Sequence, residues 1–319
     1  MATRSIDLRG RGGSADKGFR VVTLLAGLVV LAILGLIAYT MTRRAWPAFS
    51  DMGLDFFTER RWAPPQGIYG ALGFIFGTAA TALIAVTLSV PVSIGIALFI
   101  TQVAPLWLRR PMVYVLDLLA VVPSVVFGLW GLLVLSRLLP GFYENLNNLV
   151  DFVPVLGWVF GGANQGRSFM TAGIILAIMV TPIVTSLSRE VMETTPQGEK
   201  EAALALGATR WEMIRGAVLP HSKGGLVGAV MLGLGRAMGE TIAVALVIGS
   251  AIGQIGWDMT ASGNSMPAVI ANEWGEADTG HKSALIGLAV TLFVITIVVN
   301  MSANAVVQRS LRRSQGNLS

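Results

Sequence analysis

Arg236 and Glu240 stand four residues apart in GLGRAMGETIAVALVIG (233–249), a stretch otherwise built for hydrocarbon. On a continuous helix this spacing puts both charges on one face, one turn apart and able to pair. An arginine at mid-membrane costs at least ~2.5 to 3.5 kcal/mol on insertion scales, and the acid adds a similar cost. The pair therefore marks either a neutralising bridge toward a neighbouring helix or an anion site. A guanidinium offers a planar fork of donors that matches two phosphate oxygens, where lysine offers only a point charge. Gly235 and Gly239 flank the arginine in a small-xxx-small pattern that admits a second helix and leaves room beside the side chain. Base before acid is the weaker order for a bridge within one helix, so Arg236 is expected to release its partner to a ligand. Phosphate keeps at least one proton at neutral pH, so a carboxylate can accept a hydrogen bond from it, whereas fully ionised sulfate is repelled. Glu240 is expected to neutralise the empty site and to discriminate against sulfate.

Other candidates are weaker. Arg137, in VLSRLLPGF near the outer end of the third helix, reads as an arginine snorkelling to headgroups or as an outer relay for an incoming anion. Pro91, Pro123 and Pro182 predict kinks whose freed carbonyls need partners, and Ser124 and Thr181 sit beside two of them. Asp117 reads as a packing or interface residue. No G-x-x-x-x-G-K-[ST] stretch exists, so the chain does not itself cradle nucleotide phosphates. Ser14-Ala15-Asp16-Lys17 matches a serine-x-x-lysine pattern by chance, in a polar tail without companion motifs. There is no cysteine, and His221 and His281 fall on opposite sides of the expected membrane, so neither disulfides nor a zinc site are expected.

The elements that must position these residues are membrane helices. Hydrophobic residues make up 54% of 319 and charged ones 13%, and the mean hydropathy is +0.68, far too apolar for a soluble domain. Six runs are long enough to span a bilayer: 20–41, 70–100, 112–138, 169–188, 224–252 and 283–307. The first is read as a retained helix because no small-x-small cleavage site follows it. With the N-terminus inside, fifteen Lys and Arg fall on inner segments and six on outer ones, which favours two cytoplasmic termini. The basic balance is thus a topology signal and implies no nucleic acid. The chain divides into a cytoplasmic tail (1–19), a first helix (20–41), an outer interfacial segment (42–69), a permease core (70–307) and a second cytoplasmic tail (308–319). Of the outer connections, 139–168 suits an interfacial or re-entrant piece. Residues 253–282 are acidic, and the mildly acidic outer face reads as simple solvated loops or as a docking surface.

One inner loop stands apart, REVMETTPQGEKEAALALGATRWEMIRGAVLPHSKGG (189–223 with its flank). Ala202, Ala203, Leu206, Trp211 and Ile214 recur at helical spacings on either side of Gly207. Pro196 and Gly198 precede a first short helix, Gly207 breaks it, and Leu219-Pro220 is expected to end a second. An exposed apolar face of this kind marks a partner protein or the lipid surface. Its basic residues are nearly balanced by Glu199, Glu201 and Glu212, which favours the protein.

At this loop the sequence resembles the inner-membrane permease subunits of bacterial ATP-driven importers. Their pattern of Glu-Ala-Ala, three residues, Gly, nine residues, Ile, one residue, Leu-Pro appears as Glu201-Ala202-Ala203, Gly207, Ala217 and Leu219-Pro220, with alanine in place of isoleucine. The stretches LDLLAVVPSVVFGLWG (116–131), TPIVTSLSREVMETTPQGEKEAALALGATRWE (181–212) and GRAMGETIAVALVIG (235–249) are similar to the permeases of phosphate-specific importers. The segment WAPPQGIYGALGFIFGT (62–78), with the basic tail and length, is similar to the PstC type of subunit rather than the PstA type. The resemblance covers most of 60–310. It implies an all-α polytopic fold of six helices, the type I importer permease, forming half of a phosphate pathway. It also implies Glu201, Ala202, Ala203 and Gly207 as the coupling residues, and a transport role for Arg236 and Glu240. The partners implied are a second, PstA-type permease, a cytoplasmic ATPase dimer that carries ATP-Mg, and an extracytoplasmic phosphate-binding protein. No cofactor is expected on this chain. Rival readings are a molybdate or sulfate permease, a phospholipid-processing enzyme with Glu240 as base, and a phosphate-signalling scaffold.

Overall fold

The computed structural model describes residues 14–150, 159 and 166–316. Its helices in chain order are α1 (Ser14–Met52), α2 (Asp55–Thr58), α3 (Leu72–Leu98), α4 (Leu106–Val121), α5 (Ser124–Trp130), α6 (Ser136–Val150), α7 (Phe169–Glu193), α8 (Gln197–Ala205), α9 (Arg210–Met213), α10 (Leu219–Gly239), α11 (Ile242–Val247), α12 (Met266–Glu273) and α13 (Thr279–Gly316). A small antiparallel hairpin, β1 (Trp62–Ala63) and β2 (Ile68–Tyr69), turns at Pro64–Gln66. Six helical segments are long and apolar enough to span a bilayer: Asp16–Met52, Leu72–Val103, Ser124–Asn145, Phe169–Glu193, Arg210–Gly239 and Thr279–Ala305.

The most buried of these is α7, around which α3 and α10 pack to form the central core of Ile175, Leu176, Val180, Val184 and Ala229. Small residues allow the close approaches. A Cβ on Gly225 would strike Val191, and one on Gly233 would strike Val184 and Val180, so α10 runs antiparallel to α7 at near backbone contact. Peripheral to this core, α1 packs along α13. At their contact the Ser283 hydroxyl accepts the Ala48 N–H at 3.2 Å and donates to the Arg44 carbonyl at 3.0 Å, inserting into the α1 ladder beside Pro47.

Four expectations need correction. The first helix does not end near residue 41 but runs to Met52, because the more polar residues after 41 are still compatible with helix. The run 112–138 is not one helix: the chain is extended at Val122 and Pro123 (ψ 127 and 138), so Pro123 breaks rather than kinks it. The third span is accordingly Ser124–Asn145. The run 224–252 stops at Gly239 and resumes as α11. Finally, 253–282 is not simple loop. It contains α12, whose Met266, Pro267, Ala268 and Val269 are fully buried, capped by Ser265 and by Thr78 Oγ1, which accepts the Met266 N–H at 3.0 Å. Pro91 and Pro182 do lie inside helices, as expected. Of the expected interfacial piece at 139–168, residues 139–150 continue α6, and 151–158 and 160–165 lie outside the described residues.

Candidate functional site: a double helix break beside Arg236

The helix carrying Arg236 ends three residues after it. Glu240 is extended (φ −69, ψ 125) and Thr241 turns sharply (φ −105, ψ −63) before α11 begins. The local chemistry supports the break. Glycine at 239 lowers helix propensity, the Thr241 hydroxyl donates to the Gly239 carbonyl at 3.2 Å, and Glu240 Oε1 takes the Ala243 N–H at 3.5 Å. These contacts serve backbone groups that the interruption leaves without helical partners.

The break overturns the pairing expected from spacing. Arg236 and Glu240 do not share a continuous helix face, and Arg236 takes part in none of the ion pairs among the described residues. Its side chain is exposed, while Glu240 is half-buried at the break. An i, i+4 argument holds only while the backbone stays helical between the two positions. Gly235 and Gly239 do leave the expected room: a Cβ on either meets nothing within 4 Å. They open onto a cavity of about 410 Å³ lined also by Thr241, Pro267, Ala271 and Phe293. Among the described residues, the rest of its lining comes from α12 and α13.

A second break, at Val122 and Pro123, precedes α5. Gly128 of α5 faces Ala243 of α11, with a Cβ there only 2.8 Å from the Ala243 Cα. Gly131 faces Val247 in the same way, at 3.0 Å from Cγ1. The register 128 to 243 and 131 to 247 makes α5 and α11 parallel neighbours. Ser124 is the first residue of α5. Arg236 and Glu240 thus lie on either side of Gly239 at the interruption, and Ser124 stands at the start of the third span, on the helix that packs along α11. Non-helical backbone at membrane depth is tolerated where it is buried in protein or lines a water-filled path.

Arg137 is elsewhere. It is exposed on α6, and because the third helix is shifted and extends to Val150, Arg137 lies within the span rather than near its end. Thr181 is tied up structurally, its hydroxyl donating to Ala177 O at 2.7 Å and its carbonyl accepting from Ser93 at 3.1 Å. Asp117 is exposed on α4.

The expected hairpin of 189–223 forms as α8, a left-handed Gly207 (φ +86) and α9. A side chain at that φ is strained, which fixes glycine at the turn. Thr209 and Glu212 form a reciprocal capping box, with the Thr209 N–H donating to Glu212 Oε2 at 2.7 Å. The T-x-x-E spelling was the signal for it. Leu219-Pro220 does not end the second helix. The chain passes through a wide turn over Ile214–Val218, with the Leu219 N–H bonded to Ile214 O, straight into α10. In an ordinary α-helix the Pro220 ring would strike the Gly216 carbonyl, and widening the preceding turn relieves this. Ile214 is turned inward with Met213, Val218, Met192 and Ala97, and half-buried Ala203 packs on them. Leu204, Leu206 and Trp211 stay exposed, Leu206 at 89%. Glu201 is held by Gln197, whose Nε2 donates to its Oε1 at 3.2 Å, and the next residue, Ala202, is exposed. His221 sits exposed beside the hairpin, its Nδ1 3.6 Å from Glu199 Oε2.

Residues 93–313 match the family model described as binding-protein-dependent transport system inner membrane component. The chain is 41% identical over 308 residues to a phosphate transport system permease protein PstC of Xylella fastidiosa, covering 96% of this chain and 94% of that one. It is 42% identical to the PstC of Haemophilus influenzae, with 88% and 89% covered. The chain belongs to the PstC family of phosphate transport permeases. Relatives named in this way are transport subunits, which sets aside the phospholipid-enzyme reading. The fold is that of type I importer permeases. A bacterial alginate ABC transporter, solved in complex with a periplasmic protein bound to alginate pentasaccharide, superimposes with a TM-score of 0.54 at 16% identity over 92% of this chain and 97% of that one. The MetNI methionine transporter in an inward-facing form gives 0.52 at 14% identity over 74% and 94%. The protein is therefore a multi-pass inner-membrane permease.

Proposed function

We infer that this chain forms half of the membrane pathway of an ATP-driven phosphate importer, with Arg236 as its anion-contacting group. The observation that carries the residue assignment is an exposed arginine, in none of the ion pairs among the described residues, in the last turn of a membrane helix beside the break at Glu240 and Thr241. Its cost in lipid is offset if it faces a polar path shared with a second, PstA-type permease. Glu240, half-buried at the same break, accepts a hydrogen bond from a protonated oxyanion, and Ser124 adds a hydroxyl. Arg137 serves as an outer relay. Both termini face the cytoplasm, so the α8–α9 hairpin meets the ATPase dimer, with Glu201, Ala202, Ala203 and Gly207 as coupling residues. ATP-Mg is carried by that partner and no cofactor by this chain. An extracytoplasmic phosphate-binding protein delivers substrate to the opposite face, and nucleic acid has no part.

The test is ATP-dependent uptake of labelled phosphate, sulfate and molybdate by the reconstituted complex, comparing native protein with Arg236→Gln. Loss of phosphate uptake with assembly and ATPase binding retained supports the reading, and unchanged uptake overturns it. Preference for sulfate or molybdate by the native complex would establish the rival substrate. In Glu240→Gln, phosphate-over-sulfate selectivity is expected to fall; an intact selectivity removes the discriminating role of Glu240 alone.

A further inference from the structure

The outer segment holds a side-chain cluster that the pathway assignment does not use. Glu273, the last residue of α12, receives two donors on one oxygen. Trp62 Nε1 of β1 donates to Oε2 at 2.8 Å, and His281 Nε2 of α13 lies 2.8 Å from the same atom. The indole packs edge-on against Tyr69, Phe74 and His281, with ring centroids 5.1 to 5.8 Å apart. Trp62 and His281 are buried at 5% and 8% exposure. Asp278 Oδ1 fixes the start of α13 by accepting the His281 N–H at 2.7 Å. A largely buried carboxylate bound in this way resists being pulled free, because its departure leaves two donors without a partner.

What Glu273 holds is one end of the wall of the cavity at the break. α12 has eight residues, too few to be stable alone. Its first turn is fixed to α3 through Thr78 Oγ1. Its last turn carries Ile270 and Ala271, which line the cavity together with Gly235, Gly239 and Thr241. Beyond Ala271 the side chain that ties this end down is Glu273, with no link to Arg236 or Glu240 in the chain's own hydrogen bonds among the described residues.

We propose that Glu273 is a positioning residue for transport: clamped by Trp62 and His281, it holds α12 against the break in α10, so that events at the outer hairpin set the width of the pathway beside Gly239. This rests on the reading of that break as the phosphate pathway. The outer hairpin, with Pro64 and Pro65 at its tip, then acts through the indole on α12 rather than touching substrate.

The chain has no cysteine, so Ala271→Cys gives it a single thiol on the cavity wall. In the reconstituted complex, the reaction rate of this thiol with a water-soluble maleimide is measured without phosphate, with the Ala271 complex as background. Adding Glu273→Gln or Trp62→Phe is expected to change the rate several-fold. Without the cysteine, the same two variants should lower the maximal rate of phosphate uptake while leaving KM unchanged. His281→Gln keeps an amide donor for Glu273 and should behave as native, whereas His281→Ala should match Glu273→Gln. Equal labelling rates and equal uptake in assembled Glu273→Gln overturn the proposal, as does equivalence of the two His281 variants. Should Glu273→Gln fail to assemble, Trp62→Phe, which keeps an aromatic ring in the packing, decides in its place. Because labelling needs no substrate, altered labelling alongside unaffected transport in Arg236→Gln would fault the pathway reading and not the clamp.

Discussion

Arg236 shows how a residue type can be legible when its partner is not. Guanidinium, flanking glycines and cost in lipid were all readable from GLGRAMGET, and the structure keeps each of them. The ion pair was not, because it depends on a backbone that turns extended at Glu240. A single unpaired guanidinium that binds an anion bidentately cannot be replaced by a point charge. Arg236→Lys is therefore expected to lower phosphate uptake by about tenfold or more, corresponding to ~1.4 kcal/mol, in a complex that assembles normally. Uptake by the Lys variant equal to native would show that charge alone suffices. A second residue-scale prediction concerns pH. The backbone N–H groups of Arg61 and Arg60 both donate to Glu59 Oε1, at 2.9 and 2.7 Å, and hold its carboxyl below the ordinary glutamate range. A lowered folded-state pKa gives a contribution that is complete above the unfolded value and lost as pH falls through the folded one. Amide exchange at Arg60 and Arg61, corrected for its intrinsic pH dependence, should stay protected down through the usual glutamate range and rise only below it. In Glu59→Gln this acid transition should be absent.

Elements follow from the sequence wherever one interaction type decides them. Six apolar stretches, the left-handed turn at Gly207 and the place of Pro91 and Pro182 inside helices were all readable, since hydropathy and φ > 0 act locally. The breaks were not readable, because a proline inside a hydrophobic run kinks or ends a helix according to what packs beside it. At Pro123 that neighbour is α11, some 120 residues later in the chain. The same reason hid α12, whose acidic surroundings looked solvated, and the Trp62–Glu273–His281 cluster, whose members are separated by up to 219 positions. Gly128 tests the packing of α5 on α11 directly. Any side chain there meets the Ala243 backbone at 2.8 Å and Leu246 Cδ1 at 2.9 Å, and the backbone cannot yield cheaply. Gly128→Val should cost about 1–3 kcal/mol by overpacking, seen as a lower melting temperature of the purified complex, and should push α11 away from α5, reducing uptake. Gly141→Ala, with nothing within 4 Å of its Cβ, is the control and should leave both unchanged.

Among the described residues three buried clusters are stacked along the chain's long helices. One lies at the β1–β2 hairpin around Trp62, Phe56 and Leu285, one in the centre around α7, and one at the base of the α8–α9 hairpin around Met213 and Val218. The inner cluster is built from α3, α7, α9 and the start of α10, and α10 is the helix that ends at the break beside Arg236. A push on the hairpin is thus delivered to a continuous segment, Arg210–Gly239, whose far end is the candidate site. Within the hairpin the labour is divided. Met213 and Ile214 anchor it, while Leu204, Leu206 and Trp211 face outward and contribute little to this chain's own packing. A large exposed tryptophan is the kind of residue that carries binding energy at an interface. Trp211→Ala should leave the melting temperature of the isolated chain nearly unchanged, but weaken association with the ATPase by about 2 kcal/mol or more, measured by titrating detergent-solubilised permease with that partner. Ile214→Ala should do the reverse at first order, costing roughly 2–5 kcal/mol of the chain's stability because it opens a cavity in the anchor. Equal loss of ATPase association in the two variants, with equal melting temperatures, would mean that anchor and contact face are not separate.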